Sequence, residues 1–490
     1  MNVPAGSACS RQVLAVIAVV TLVRALVSLQ GELTSVESYS WMYAQYPSLG
    51  YYDHPGMVGW WGRLSSVLFG SSALGFRALP LAGSAGMIWM VFLATRRLYS
   101  ECAARLAALL VAFVPLFFIF SWYTTPDAPC LFFWSATVWA LAHALSGDAP
   151  RWWYAAGLFL GLALDSKYPA VFLGLGVFGF LLFSPEQRFW LKRREPWIGV
   201  VLAVLAFSPT FVWNARNEWQ SFAYQGVSRF KESGFQPAQV WRFVSSQLYL
   251  LTPAVAVGAW GAGITALVRW RRIDWKDRFL SALGAPLLIF FAAVMFVRPV
   301  RGHWAASGYV TAVMLSAAFV VKGGRWTRRL YWGSIALLAV GTLILPVFLA
   351  FTPRDQRKGW AFLGEEVKRR NPDFIVCNEY HLASQMGYVL RTRDSWDLTP
   401  IGKPSKSFPN WWDEKRHLGK NAVIVYDSRH FPGEMDRIKE CFGRIDRAEL
   451  VLVPRLQVGP FGDDERYWIL NAWNYKGPRL LYPRAPESGD

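Results

Sequence analysis

The feature that most constrains this chain is a succession of apolar runs that recurs from residue 11 to residue 351. Runs of about 17 to 25 apolar residues can cross a bilayer as helices, the structure that satisfies its own backbone hydrogen bonds there. Eleven such segments can be read, near residues 11–30, 78–95, 104–122, 128–145, 152–166, 169–184, 197–213, 248–268, 279–297, 303–321 and 331–351. The fifth and sixth are short and need the flanking Trp152, Trp153 and Tyr168 as interfacial anchors. Composition agrees: 53% of the 490 residues are hydrophobic and only 17% charged, against roughly 25% charged in soluble domains.

The formal net charge of +18 would suit a nucleic-acid partner if the cations formed one stripe. They form short clusters between apolar runs instead, which excludes that class and marks them as topology signals. Basic loops stay on the cytoplasmic side. With the N-terminus inside, the inner loops carry Arg96, Arg97 and Arg105; Arg151; Arg188 and Lys192 to Arg194; Arg269 to Arg278; and Lys322 to Arg329, while the outer loops are poorer for their length. The first run resembles a secretory signal, but Arg24 interrupts it and no clear small-residue cleavage site follows, so a retained helix is expected. The odd span count then divides the chain into a membrane domain, residues 1–351, and an extracytoplasmic domain, residues 352–490, of a multi-pass protein in a bacterial inner membrane.

The tail reads as a small α/β domain: helices around WAFLGEEVKRR, YHLASQMGYVL and GEMDRIKECF, with strands at DFIVC, NAVIVYD, AELVLVP and RYWILNA. It has no glycine-rich phosphate loop, so no nucleotide cofactor is expected. Its two cysteines, Cys377 and Cys441, would be free to pair in an oxidising compartment, or to remain buried thiols. Between the seventh and eighth spans lies an aromatic, amphipathic outer loop, residues 213–243, of a kind that lies along an interface.

Under this topology one face collects Glu32, Glu37, Asp53 and His54 from the first outer loop, Asp127 from YTTPDAP, Asp165 and Lys167 from LDSKYP, and Arg298, Arg301 and His303 from RPVRGHW. Near-membrane ionisable groups are costly and tend to face cavities or act on substrates. Each has a bland reading alone: Asp127 as a helix cap, Lys167 and Arg298 as snorkelling cations, His54 as a turn brace. Their convergence points to group transfer from a lipid phosphate. An acid at a helix end can take a proton from an incoming hydroxyl or amine, or hold a divalent cation (Mg or Mn) with a second carboxylate. Lys and Arg can stabilise the departing phosphate, and Tyr39, Trp41, Tyr51 and Tyr52 suit sugar faces or prenyl chains.

VESYSW followed by GYYDHPG resembles the first outer loop of the polyprenyl-phosphate-sugar-dependent glycosyltransferases, the family of protein mannosyltransferases and lipid A aminoarabinose transferases, which commonly reads DEAYYW and then GYYDHPP. YTTPDAPCLFFW looks like the family's second acidic motif, LGLALDSKYPAVFL like its GLxxLSKYT segment, FVWNARNEWQSFAYQ like its WNxxHxWxSFxFQ loop and RGHWAASGYV like its HWPAPAY segment. The resemblance implies the glycosyltransferase C fold, an extracytoplasmic site, a polyprenyl-phosphate-linked sugar donor, and inversion at the anomeric carbon, often with a divalent metal. By position it implies Glu37 and Asp127 as the catalytic or metal-linked acids. Asp53, His54, Lys167, Asp165 and His303 would be substrate contacts, and Arg298 and Arg301 are inferred chemically as phosphate contacts.

One position departs from the pattern. Where the family has the first acid of its DE pair, this chain has Val36, which can neither accept a proton nor bind a metal. Either Glu37 takes that role, or Glu32 or Asp165 supplies the missing carboxylate, or the chain is a degenerate member that binds or scaffolds in envelope glycan assembly. The leading expectation is an inverting membrane glycosyltransferase acting on an extracytoplasmic acceptor, be it lipid A, another envelope glycan or a protein. A transporter ranks last, because the inner loops hold only basic clusters.

Overall fold

A computed structural model describes residues 5–147, 149–226, 234–235, 237–351, 359–453 and 466–478. The first part is helical: α1 Ala5–Gln30, α2 Ser35–Gln45, α3 Met57–Phe69, α4 Ala73–Leu98, α5 Glu101–Phe113, α6 Pro115–Phe120, α7 Asp127–Leu145, α8 Trp152–Ser166, α9 Val171–Phe183, α10 Arg194–Arg216, α11 Gln220–Gly226, α12 Pro237–Leu251, α13 Pro253–Val268, α14 Trp275–Val294, α15 Ala306–Lys322 and α16 Arg325–Phe351. Every apolar run identified above overlaps one of these helices.

Among the described residues seven helices are singly long and apolar enough to cross a membrane, and α12 with α13, bent by 107°, make an eighth if taken as one span. The chain is a multi-pass membrane protein. The expected count of eleven differs for local reasons. Pro115 lacks an N–H and pushes Val114 to an extended backbone, which parts α5 from α6. Pro253 starts α13 after Thr252, whose φ of 69° ends α12. The α8 helix has only 15 residues and α9 only 13.

The helices approach closely where small residues face each other. A Cβ on Gly157 of α8 would lie 2.0 Å from the Gly199 carbonyl oxygen of α10, and one on Gly161 would lie 2.3 Å from that of Ala203. Small residues let backbones meet where lipid supplies no hydrophobic driving force. Large apolar side chains such as Val204, Leu205, Leu337 and Val347 are left exposed on the surface, where acyl chains rather than water would cover them.

The C-terminal unit holds α17 Gly359–Lys368, β1 Phe374–Cys377, α18 Tyr380–Leu390, β2 Ser395–Trp396, β3 Ala422–Asp427, α19 Met435–Cys441, β4 Phe442–Ile445, β5 Glu449–Leu452 and β6 Arg466–Tyr475. Its sheet runs β2-β1-β3-β6-β4, with β5 also on β6. β1 is parallel to β2 and β3, and β6 is antiparallel to β3. The helices and four strands read from the sequence are present, whereas β2 has only two residues and β4, FGRI, carries no run of apolar residues to mark it. Cys377 and Cys441 are both buried as free thiols.

The expected division at residue 352 lies outside the described residues. Packing groups the chain differently from sequence order: Tyr39, Trp41, Met42 and Tyr43 of α2 share one apolar core with Leu382, Met386 and Tyr388 of α18 and with Phe408. Polar ties join the same surfaces. Ser38 Oγ donates to Gln385 Oε1 at 2.7 Å, and Gln385 Nε2 donates to the Leu33 carbonyl at 3.2 Å. Glu32 accepts from the first N–H groups of α17, Trp360 at 3.2 Å and Ala361 at 2.9 Å, an acid against a helix N-terminus. Glu32 is thereby tied to the C-terminal unit. The C-terminal unit thus caps the end of the bundle that carries the first loop.

Replacing Gly157 by Leu should prevent α8 from seating on α10. We expect loss of the monodisperse detergent-solubilised protein in size-exclusion chromatography, whereas Gly179→Leu, where a Cβ meets nothing within 4 Å, should elute as the parent does.

Candidate active site

The loops expected on the outer face do meet at one end of the bundle, and their acids sort by what their oxygens touch. Glu37 is fully buried. As residue N3 of α2 it completes a capping box with Thr34. Its Oε1 accepts from Arg77 Nε at 2.7 Å and the Thr124 backbone N–H at 3.1 Å; its Oε2 accepts from the Arg77 guanidinium at 2.5 Å and from the Thr34 N–H and hydroxyl at 3.0 and 3.1 Å. Five donors fill the roughly four lone-pair positions of a carboxylate. With these contacts Glu37, expected as base or metal ligand, is a clasp holding α2, α4 and the YTTPDAP turn together.

Asp127, the first residue of α7, makes no capping bond to its own helix. Its Oδ1 instead accepts from Lys167 Nζ at 2.7 Å, and its second oxygen takes no donor from a neighbouring residue among the described residues. His303 lies within electrostatic reach of Asp127, Lys167 and Arg301, and its ring stacks on Phe120 at 4.3 Å. Arg301 is exposed and Arg298 half-buried on the same connection. Asp165 does not join this group or pair with Lys167. It is buried between α8 and α10, with Oδ1 accepting from the Thr210 hydroxyl at 2.6 Å and Oδ2 without a partner.

Asp53 forms a second focus. Its Oδ1 accepts from the Tyr43 hydroxyl, from Tyr39 at 3.3 Å and from Ser407 of the C-terminal unit at 3.4 Å, and Oδ2 takes no donor from a neighbouring residue among the described residues. Burial raises its proton affinity, but the charges of His54 and Lys406 and the Tyr43 hydroxyl outweigh that and hold the carboxyl below its ordinary 3.8. The two foci are joined by α11. Ser221 bonds Tyr168, the neighbour of Lys167, at 2.6 Å; Tyr224 accepts from Lys406 Nζ at 3.0 Å; and Gln225 Nε2 donates to the Asp53 carbonyl at 2.5 Å.

Sequence reasoning missed Arg77, Thr124, Tyr43, Lys406 and Ser407 as members of this end. Arg77 had a signal, a cation inside the apolar stretch FRALPLAG. Lys406 had none, since it is more than 340 residues from Asp53 in the chain.

Residues 53–213 match the family of dolichyl-phosphate-mannose-protein mannosyltransferases. The lipid A galacturonosyltransferase RgtD of Rhizobium johnstonii is 24% identical over 391 residues, covering 76% of this chain and 81% of that protein. The undecaprenyl phosphate-alpha-4-amino-4-deoxy-L-arabinose arabinosyl transferase of Pseudomonas aeruginosa is 26% identical over 63% of this chain, which spans 56% of that relative's length. ArnT of Cupriavidus metallidurans, solved bound to undecaprenyl phosphate, has the same fold, with a TM-score of 0.62 at 15% identity over 93% of this chain and 97% of that one. This chain is a membrane glycosyltransferase similar to these polyprenyl-phosphate-sugar-dependent enzymes. Its fold is the glycosyltransferase C type, shared also with the Archaeoglobus fulgidus oligosaccharyltransferase at a TM-score of 0.51 over 87% of this chain.

The metal expected at Glu37 and Asp127 does not fit those residues in this glycosyltransferase. Glu37 is saturated, and Asp127 already holds an ammonium group at 2.7 Å. Among the described residues one cluster of three metal-capable groups exists, Glu379, Asp427 and His430 in the C-terminal unit. There Asp427 already accepts from His430 Nδ1 at 2.7 Å, two backbone N–H groups and Asn378.

Glu37→Gln leaves the Arg77 guanidinium buried without its countercharge, which costs about 3–5 kcal/mol. We expect a lowered melting temperature in detergent, partly restored in the double variant Glu37→Gln, Arg77→Met. The Asp53 cage has the opposite dependence from a raised acid: with the folded pKa below 3.8, its stabilisation is present above that value and lost as pH falls through the depressed pKa. Tyr43→Phe should therefore melt below the parent at neutral pH, with the gap narrowing on acidification.

Proposed function

We propose that this glycosyltransferase moves a sugar from a polyprenyl-phosphate carrier to a lipid A-type glycolipid on the extracytoplasmic side of a bacterial inner membrane. Support for the carrier and acceptor comes from the relatives, named for lipid A and for undecaprenyl phosphate. The observation that carries the reading is the pairing of Asp127 with Lys167, one oxygen held and one open, at the same end of the bundle as Asp53. A base needs an open lone pair, and of the acids considered Glu37 and Asp165 lack a usable one.

In the proposed step the acceptor oxygen forms a bond to the anomeric carbon as the bond from that carbon to the phosphate oxygen breaks, so the configuration inverts. The acceptor proton passes to the open oxygen of Asp127, and the electron pair leaves with the carrier as a phosphate monoester. Lys167 orients Asp127 by donating to its Oδ1 at 2.7 Å. His54 donates to the phosphate, His303 lines the Asp127 wall, and Arg298 and Arg301 at the rim draw in the anionic carrier. Glu37 is a positioning residue that delivers the YTTPDAP turn.

A second reading keeps one specific feature in its favour. Val36 stands where the family has an acid, and its side chain is exposed, so a degenerate, carrier-binding member remains the rival. Both are tested with purified protein, an undecaprenyl-phosphate-linked sugar and lipid A, by following release of undecaprenyl phosphate. Asp127→Asn should lower the rate by roughly 10²–10⁴ with an unchanged melting profile; transfer at the parental rate would remove Asp127 from the chemistry. A silent parent that gains activity on Val36→Asp would establish the degenerate reading.

A further inference from the structure

The first outer loop, the outer end of α10 and the C-terminal unit meet around a cleft of about 540 Å³ that the proposed transfer does not use. Sites for small ligands occupy roughly 300–1,000 Å³. Tyr46 and Ser48 come from the end of α2 and the turn after it, Trp213 and Asn217 from the end of α10, and Arg393 and Trp411 from the C-terminal unit. Neither Asp127 nor Lys167 is among the lining residues.

The chemistry of this cleft suits a saccharide. The rings of Tyr46 and Trp411 stack at 4.9 Å with their planes 6° apart, a rigid aromatic pair. Trp213 is 8% exposed and lies against Gly50, where a Cβ would come 3.1 Å from the Trp213 Cβ, so glycine lets the loop reach α10. Beside these rings stand the carboxamides of Gln45 and Asn217. Aromatic rings take up the C–H face of a sugar, and an amide, donor and acceptor together, matches its hydroxyls. The Arg393 guanidinium lies 5.8 Å from the Tyr46 ring centre and adds a planar fork for a phosphate or carboxylate. The neighbouring Asp394 is engaged by Arg416 at 3.4 Å and by His417 at 3.2 Å. Among the described residues no carboxylate lines the cleft, so an anionic sugar meets no like charge there.

Its level along the bundle suits a lipid headgroup. The helix α10 is long and apolar enough to cross the membrane. Phe211 and Val212, just before Trp213, are exposed, as is Leu49 beside Ser48. Apolar side chains at this level face acyl chains, and tryptophan favours the boundary with water. A ligand can therefore leave its chains in the bilayer and present its sugar to the cleft. The cleft also adjoins the first outer loop's acid. Tyr51 on its wall stacks on Tyr43 at 4.0 Å, and the Tyr43 hydroxyl donates to Asp53. Gly50 bridges to Pro55 across the turn that carries Asp53 and His54. We infer that this cleft anchors the anionic saccharide headgroup of the acceptor glycolipid, at a part away from the reacting hydroxyl. Binding energy from such a remote part can be used at the reacting centre. This rests on the acceptor reading given above and deepens it.

The test is binding of lipid A, dephosphorylated lipid A, phosphatidylglycerol and undecaprenyl phosphate to the full-length protein in detergent, for the parent, Arg393→Ala and Ser48→Trp. Arg393 is exposed, so its truncation spares the fold, and tryptophan at Ser48 fills the cleft. We expect Arg393→Ala to weaken lipid A binding by roughly tenfold, the scale of one charge-assisted hydrogen bond. Dephosphorylated lipid A, the weaker ligand of the parent, should lose nothing further. Ser48→Trp should weaken both forms to a similar degree. Undecaprenyl phosphate should bind all three proteins alike, which separates the cleft from the donor site. Unchanged lipid A binding in both variants overturns the inference. So does phosphatidylglycerol competing as well as lipid A, since it carries charge but no sugar. Should Ser48→Trp fail to fold, Arg393→Ala decides the matter with the two forms of lipid A, and an equal loss for both counts against the cleft. If the parent binds lipid A and the variants match it, only the cleft falls; a parent with no affinity for lipid A removes the acceptor reading as well.

Discussion

The carboxylate of Glu37 inside its ring of five donors is the contact on which the rest of this end of the molecule depends. It joins the guanidinium of Arg77 on α4, the cap of α2 and the backbone of Thr124 in one buried node. A buried ion pair is retained at a cost in desolvation and is tolerable only when all its lone pairs and protons are satisfied. That condition is met here, and it has two structural consequences. It sets α2 at the angle on which α18 packs, and it holds the YTTPDAP turn three residues ahead of Asp127, which fixes where that acid emerges.

From this node the chemistry separates by hydrogen-bond accounting. Acids whose oxygens are filled or enclosed, Glu32, Glu37 and Asp165, serve architecture; acids with one oxygen held and one open, Asp53 and Asp127, have an oriented lone pair to offer. Holding one oxygen matters as much as leaving the other open, because an unrestrained carboxylate would lose rotational entropy on meeting substrate. Tyr39, Tyr43 and Ser407 do this for Asp53, and Lys167 does it for Asp127. The short helix α11 ties both foci through Ser221, Tyr224 and Gln225, so the aromatic WQSFAYQ segment is the seam of the site rather than merely an interfacial ornament.

Much of this was legible beforehand because bilayers impose a strong rule. Apolar length and the placement of Lys and Arg mark spans and loops without any knowledge of packing, and the helical segments fall where those runs lie. The motif residues were legible as a set, since charge near a membrane is costly enough to be kept for a reason. Their individual roles were not. Glu37 and Asp127 look equally apt in sequence, and only the donors around each distinguish a saturated node from an open acid. The runs 104–122 and 248–268 read as single spans despite Pro115 and Pro253, because whether a proline kinks a span or parts it depends on the neighbours that satisfy the freed backbone.

The sequence by itself determined that the chain crosses a membrane many times, that its ionisable residues gather on one side, and that an α/β unit follows, because hydropathy and periodicity are local properties. Only the tertiary structure decided that α2 belongs to the core of that distant unit, that Arg77 takes up Glu37, and that Lys406 reaches Asp53 from the far end of the chain. Those pairings depend on which surfaces exclude water together, and no local pattern encodes a neighbour hundreds of residues away.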